Sequence, residues 1–205
     1  MTSRVRRLVV LIHLWPTVHF LLVASLWRHP VLALCLLYLL PPMLSRLILR
    51  VFGRPSGTYP LHSREFLVWW ALACLQSIFL RFPWLEETLR MIPLLYSAWL
   101  RLWGAKVGRL VYWAPGTTVL DRSYLEIGDE VVFGMGVRIN PHLLSQQQLT
   151  VAPVRVGAGA QVGGYSLLMA GSEVGPGENS LATLEMRPFS RFVEGKLWRH
   201  PKPDQ

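Results

Sequence analysis

Acidic side chains are scarce in this sequence. Its 205 residues hold 12 Asp and Glu against 21 Lys and Arg, and charged residues of both signs make up only 16%, where soluble domains carry about 25%. Cysteine is scarcer still. Cys35 and Cys74 both lie inside apolar segments, which excludes a disulfide framework and a cysteine metal site, and nothing argues for an oxidising compartment. The shortage of charge is uneven. Residues 8–103 are rich in Leu, Trp and Val and residues 104–180 in Gly and Val, so the chain divides into a membrane-anchoring half, 1–103, and a second domain, 104–205.

The net charge of +9 does not form a nucleic-acid stripe. Arg4, Arg6 and Arg7 precede the first apolar run, and Arg46, Arg50 and Arg54 close the second, as cations flank membrane segments. The first run, Leu8 to Trp27, has the roughly 20 residues that cross a ~30 Å hydrocarbon core. It is too long for a signal-peptide core, lacks a small-residue cleavage site and is followed by a second run, so it reads as a retained anchor. The second, residues 29–50, contains Pro41 and Pro42, which predict a kink. A helical hairpin follows, with both arginine ends cytoplasmic and the Arg28–His29 turn outside. Residues 66–82 are a marginal span, expected to dip into or lie along the cytoplasmic interface. Residues 84–103 read as one amphipathic helix, with Leu85, Leu89, Ile92, Tyr96, Trp99 and Trp103 at three- and four-residue steps.

From Val107 an aliphatic or aromatic residue returns every six positions: Val107, Trp113, Val119, then after two extra residues Ile127, Phe133, Ile139, and after an interruption Val156, Val162, Leu168 and Val174. The next position is often Gly or Ala. A small or β-branched residue follows four places after each lead: Val111, Thr117, Ser123, Val131, Val137, Ala160, Ser166 and Ser172. A six-residue period fits short strands separated by tight turns, three to a coil, winding into a triangular prism with the lead residues stacked inside.

These units resemble the left-handed parallel β-helix of the hexapeptide acyltransferase superfamily, and the hand comes from that resemblance. The fold class expected is therefore α+β: a transmembrane helical hairpin and interfacial helices, then a short left-handed parallel β-helix. Further landmarks are Tyr59-Pro60-Leu61, Trp69-Trp70, Pro93-Leu94-Leu95, the run from Tyr96 to Gly108, Asn140-Pro141-His142-Leu143 and Ala152 to Gly157. In their order they resemble the membrane-bound C-terminal condensing domains of polylysine-synthetase-type nonribosomal peptide synthetases. That resemblance covers residues 55–201. It implies a homotrimer in the cytoplasmic (inner) membrane, multi-pass, with the β-helix facing the cytoplasm, that joins acyl or aminoacyl thioesters to amines or hydroxyls. The donor would be coenzyme A or the phosphopantetheine arm of a carrier protein, a co-substrate and not a bound cofactor. Membrane lipid is the other partner expected.

Thioester transfer needs a base beside the acceptor's proton, and a neutral imidazole suits that near pH 7. Of six histidines only His142 falls in the repeats, which also sets aside a three-histidine zinc site. The resemblance makes His142 the base. The acidic residue that relatives often carry shortly afterwards is replaced here by Leu143, Leu144, Ser145 and Gln146, so Asn140 is the candidate hydrogen-bonding partner, with Asp121 and Glu126, around the two-residue insertion, weaker candidates read as solvated loop residues. Leu144 to Pro153 is expected to protrude over a cleft. Arg138, Arg155 and Lys196 are candidates for the donor's phosphates, and Gly163-Gly164 for pantetheine backbone contacts. Gly195 to Pro201 resembles the closing segment that lines the thioester tunnel, with Trp198 in place and His200 where relatives carry Gly. The alternative is a catalytically silent β-helix that serves as scaffold or docking module.

Overall fold

The computed structural model of the chain describes residues 3–198. Helices α1 (Ser3–His13) and α2 (Trp15–Ser25) form the first apolar stretch, and α3 (Pro30–Tyr38) and α4 (Leu40–Phe52) the second. Arg6–Ser25 and Pro30–Phe52 are each long and apolar enough to cross a membrane. The second stretch breaks at Leu39, because Pro41 and Pro42 cannot donate to the carbonyls one turn earlier. His19 donates from Nε2 to the Leu36 carbonyl at 3.1 Å and stacks on Trp15, so this intramembrane histidine ties the two legs together.

Strand β1 (Gly57–Pro60) leads into α5 (Arg64–Arg81). Ser63 caps that helix by accepting from the Phe66 N–H, with Glu65 in the first turn and Arg81 in the last. The chain then bends by 82° into α6 (Trp84–Arg90), and the bent pair makes a third candidate span if taken as one. The single helix expected over 84–103 is two, α6 and α7 (Leu95–Leu102). Pro93 cannot bond to the preceding turn and disfavours helical geometry at Ile92. Leu94 then reverses the chain at a left-handed φ of 67°.

The six-residue period becomes three parallel sheets that the chain visits in rotation. The first carries β2 (Lys106–Val107), the second β3 (Tyr112–Trp113) and the third β4 (Thr118–Val119). The next turn adds β5 (Leu125–Ile127), β6 (Val132–Phe133) and β7 (Arg138–Asn140), in register with their predecessors. An antiparallel excursion, β8 (His142–Ser145) and β9 (Gln148–Val151), interrupts the winding. It resumes with β10 (Val154–Val156), β11 (Gln161–Val162), β12 (Leu167–Met169), β13 (Glu173–Val174), β14 (Glu185–Met186) and β15 (Arg191–Val193). Lead residues stack inside, with Phe133, Ile139, Leu168 and Met186 fully buried and Trp113 lying flat on Phe133 at 4.6 Å. All eight small or β-branched residues four places on are buried too. A Cβ on Gly134 would come within 2.5 Å of the Gly164 nitrogen in the next coil, which is why the position after a lead residue is so often Gly. Winding continues past Val174 through Ser180, Met186 and Phe192. Ser180 in a lead position hid that coil from the hydrophobic pattern. Strand β16 (Lys196–Trp198) folds back antiparallel on β15 and closes the described solenoid.

The two halves share one core. Leu75, Ile78 and Phe79 of α5 and Trp99, Leu100 and Trp103 at α7 pack with Val107, Trp113 and Val119 of the first coil. The two extra residues after Val119 form a 3-10 turn, Arg122–Tyr124, and Asp121 to Tyr124 are at most 1% exposed. Expected as a solvated loop, this insertion is the plug that enters the helices. Arg122 pairs with Glu86, donates to Gln76 Oε1 from Nη1 (3.0 Å) and from its backbone nitrogen (2.7 Å), and lies about 5.5 Å or less from the ring centres of Phe79, Trp99 and Trp103. Glu86 also accepts from the Tyr96 hydroxyl at 2.5 Å and pairs with Arg90 at 3.1 Å. Glu86→Ala leaves Arg122 buried without a carboxylate, while Arg90 keeps its pair with Glu87, and removing one partner of a buried pair costs about 3–5 kcal/mol. Chemical unfolding in detergent should show that loss. Arg109→Ala, on the exposed rim, should change stability by about 0.5 kcal/mol or less; equal effects would show the cluster to be incidental.

Candidate active site

The site begins where the winding stops. Pro141 has no N–H for the sheet, and its carbonyl accepts from Ala152 at 3.1 Å as the chain returns. Between them β8 and β9 form a hairpin, closed by Gln146 and Gln147 at left-handed φ of 48° and 61°, the geometry of a tight two-residue turn. β1 pairs with β9 on its far side, Gly57 opposite Val151 through Pro60 opposite Gln148. The interruption thus supplies two strands of a three-stranded sheet with β9 at its centre. Leu149 and Val151 are buried against Phe66, Trp69 and Leu72 of α5, which corrects the expectation of a protruding arm: its alternate apolar residues had a helix to cover.

His142 opens β8, and the repeat register places Asp121 beneath the preceding Pro141, since Val119 pairs with Ile139. His142 Nδ1 lies 2.5 Å from Asp121 Oδ2, and Asp121 Oδ1 accepts from Trp69 Nε1 at 3.0 Å. The Trp69 ring centre is 4.8 Å from that of His142. The Asp121 side chain is 2% exposed and the His142 side chain 23%. A buried carboxylate on Nδ1 fixes the tautomer that carries its proton there and leaves Nε2 as a lone-pair acceptor. Nε2 has no protein partner among the described residues. Burial pushes the imidazole pKa down, but the hydrogen bond and charge of Asp121 outweigh it, and His142 titrates above the ordinary histidine value.

The other candidates are placed differently. Asn140, at the end of β7 and partly buried, makes no side-chain hydrogen bond among the described residues; the partner expected of it is Asp121. Glu126, also read as solvated, pairs with Arg54, Lys106 and Arg155, so Arg155 shares one carboxylate with two other cations. Arg138 is exposed on β7 with no ion pair among the described residues. Gly163 and Gly164 serve coil packing: a Cβ on Gly163 would meet the Leu181 oxygen at 2.3 Å, and its N–H donates to Ser180 Oγ at 3.0 Å. Lys196 and Trp198 are exposed on β16, three strands beyond β10 in the first sheet, or about 14 Å at normal strand spacing. Within one chain they belong to the closing end of the solenoid and not to the His142 corner. Arg199 to Pro201, with His200, lie outside the described residues. No cluster of three or more metal-ligating side chains occurs among the described residues.

Asp121 is the His142 partner that the composition of the insertion concealed. The register carried a signal for it, because the extra residues follow Val119 at the corner directly below Pro141-His142. Removing the carboxylate's charge in Asp121→Asn takes away the influence that raises the imidazole's pKa, so the His142 titration midpoint, followed by NMR of the ring carbons, should fall. An unchanged or higher midpoint would refute the pairing. No family model matches the chain and no curated protein matches it either, so any functional reading rests on this geometry and on the sequence resemblance.

Proposed function

We propose that the chain is a membrane-associated acyl or aminoacyl transferase whose general base is His142, positioned by Asp121. The observation that carries the reading is the 2.5 Å contact between Asp121 and His142 Nδ1, with Trp69 holding the other carboxylate oxygen. Orientation of a base by a buried third group is the arrangement that activates acceptors in acyl transfer. Neutral His142 takes a proton at Nε2 from an acceptor amine or hydroxyl as that nitrogen or oxygen bonds to the thioester carbonyl carbon. The tetrahedral intermediate collapses with cleavage of the C–S bond, and the departing sulfur takes the proton back from the imidazolium. The products are an amide or ester and a free thiol.

The donor is a coenzyme A or carrier-protein phosphopantetheine thioester, and exposed Arg138 suits its phosphates. The left-handed winding and the homotrimer come from the family resemblance, and a neighbouring prism would supply the second wall of the groove at His142. The two long apolar helices support a membrane location.

Purified protein offered a panel of acyl and aminoacyl thioesters with amine and hydroxyl acceptors should form product. His142→Ala should reduce kcat/KM by about 10²- to 10⁴-fold. Equal rates in both proteins remove the mechanism, and no product with any pair favours the silent scaffold. The base works deprotonated, so the rate rises with pH through the His142 pKa. Because that pKa is raised, the acidic limb should lie above about 6.5, the unperturbed value, and should move to lower pH in Asp121→Asn.

A further inference from the structure

The apolar stretches have the length of membrane spans, yet their packing on the solenoid constrains how they can enter a bilayer. Helix α5 crosses the base of the solenoid. It meets Asp121 at Trp69 and Arg122 at Gln76, and beyond the 82° bend Glu87 of α6 accepts from the Gly116 N–H at 3.1 Å. Leu75, Ile78 and Phe79 of α5 pack with Val107, Trp113 and Val119, one lead residue from each side of the first coil, so α5 lies across the winding axis and not along it. The first apolar stretch runs beside α5 in the same direction: Trp70 Nε1 donates to the Val9 carbonyl at 3.3 Å, and Phe20 stacks on Phe82 at 6.2 Å. Its axis therefore also lies in the plane of the base coil.

We infer that the helical half lies along a single leaflet as a monotopic anchor, with the solenoid standing upright on it. Were the first stretch aligned with the bilayer normal, the rim of the solenoid would share its depth. Lys106, Arg109 and Arg155, with side chains 73%, 86% and 50% exposed, would then face hydrocarbon together with their Glu126 and Asp129 partners, where charged side chains are costly. Lifting the body clear of the bilayer is no remedy. The hairpin beyond Phe20 and Tyr38, where Tyr38 donates to the Leu85 carbonyl, has about eight residues in each leg, or about 12 Å, against a core of about 30 Å. Laid flat, Leu11, Val18, Leu22, Val31, Leu32 and Leu34, each 45–74% exposed, meet acyl chains. Arg28 at the hairpin turn and Arg81 at the end of α5 are exposed and reach headgroups from the same plane.

Depth measurement decides the matter. Leu11 and Val18 are seven residues apart on one helical face. Single cysteines at each, in a full chain carrying Cys35→Ala and Cys74→Ala, take a nitroxide label in phosphatidylcholine–phosphatidylglycerol vesicles. Relaxation by oxygen against a water-soluble nickel chelate then gives each label's depth. A spanning helix separates the two by about 10 Å at 1.5 Å per residue, whereas a helix in the plane holds them level. A difference below about 5 Å, half that rise, is the expected result. A larger one overturns the inference.

Discussion

Arg122 governs how the parts of this molecule relate. Its guanidinium is fully buried, and it can be so only because Glu86, Gln76 and three tryptophan or phenylalanine rings converge on it from α5, α6 and α7. A buried cation without those partners would be strongly destabilising. The insertion that carries it is thereby locked to the helices, and the first coil is locked to the insertion.

Two consequences follow from that single anchorage. Asp121, the residue before Arg122, is held against Trp69 and His142, so the geometry of the dyad derives from the docking of the helices and not from the solenoid alone. The same docking sets α5 across the base coil and the first apolar stretch alongside α5. Candidate chemistry and membrane attachment thus depend on one interface, which explains why an otherwise regular solenoid breaks its period there.

Regularity elsewhere has a plain physical source. Lead residues stack because each coil repeats its predecessor's register, and glycines recur where a Cβ would meet the next coil's backbone. This was legible in the sequence from Val107 to Val174. It faded where Ser180 occupies a lead position, since the period was read from hydrophobicity and the coil is held there by backbone pairing, with Asn179 opposite Gln161.

By itself, the sequence determined the two apolar stretches, the kink ahead of Pro41-Pro42, the three-sided winding and the place of His142 at its interruption. All of these are consequences of local period or of a residue's own backbone chemistry. Only the tertiary structure decided that Asp121 is the histidine's partner, that Leu149 and Val151 cover α5 instead of leading a free arm, and that residues 84–103 fold back on themselves around a buried Glu86. The pairings involved span 21 residues from Asp121 to His142, 36 from Glu86 to Arg122 and 52 from Trp69 to Asp121. Contacts at such separations are chosen by which surfaces meet when helices cap a coil, and beyond the register that sets Asp121 below Pro141 no six-residue or 3.6-residue rhythm records that choice.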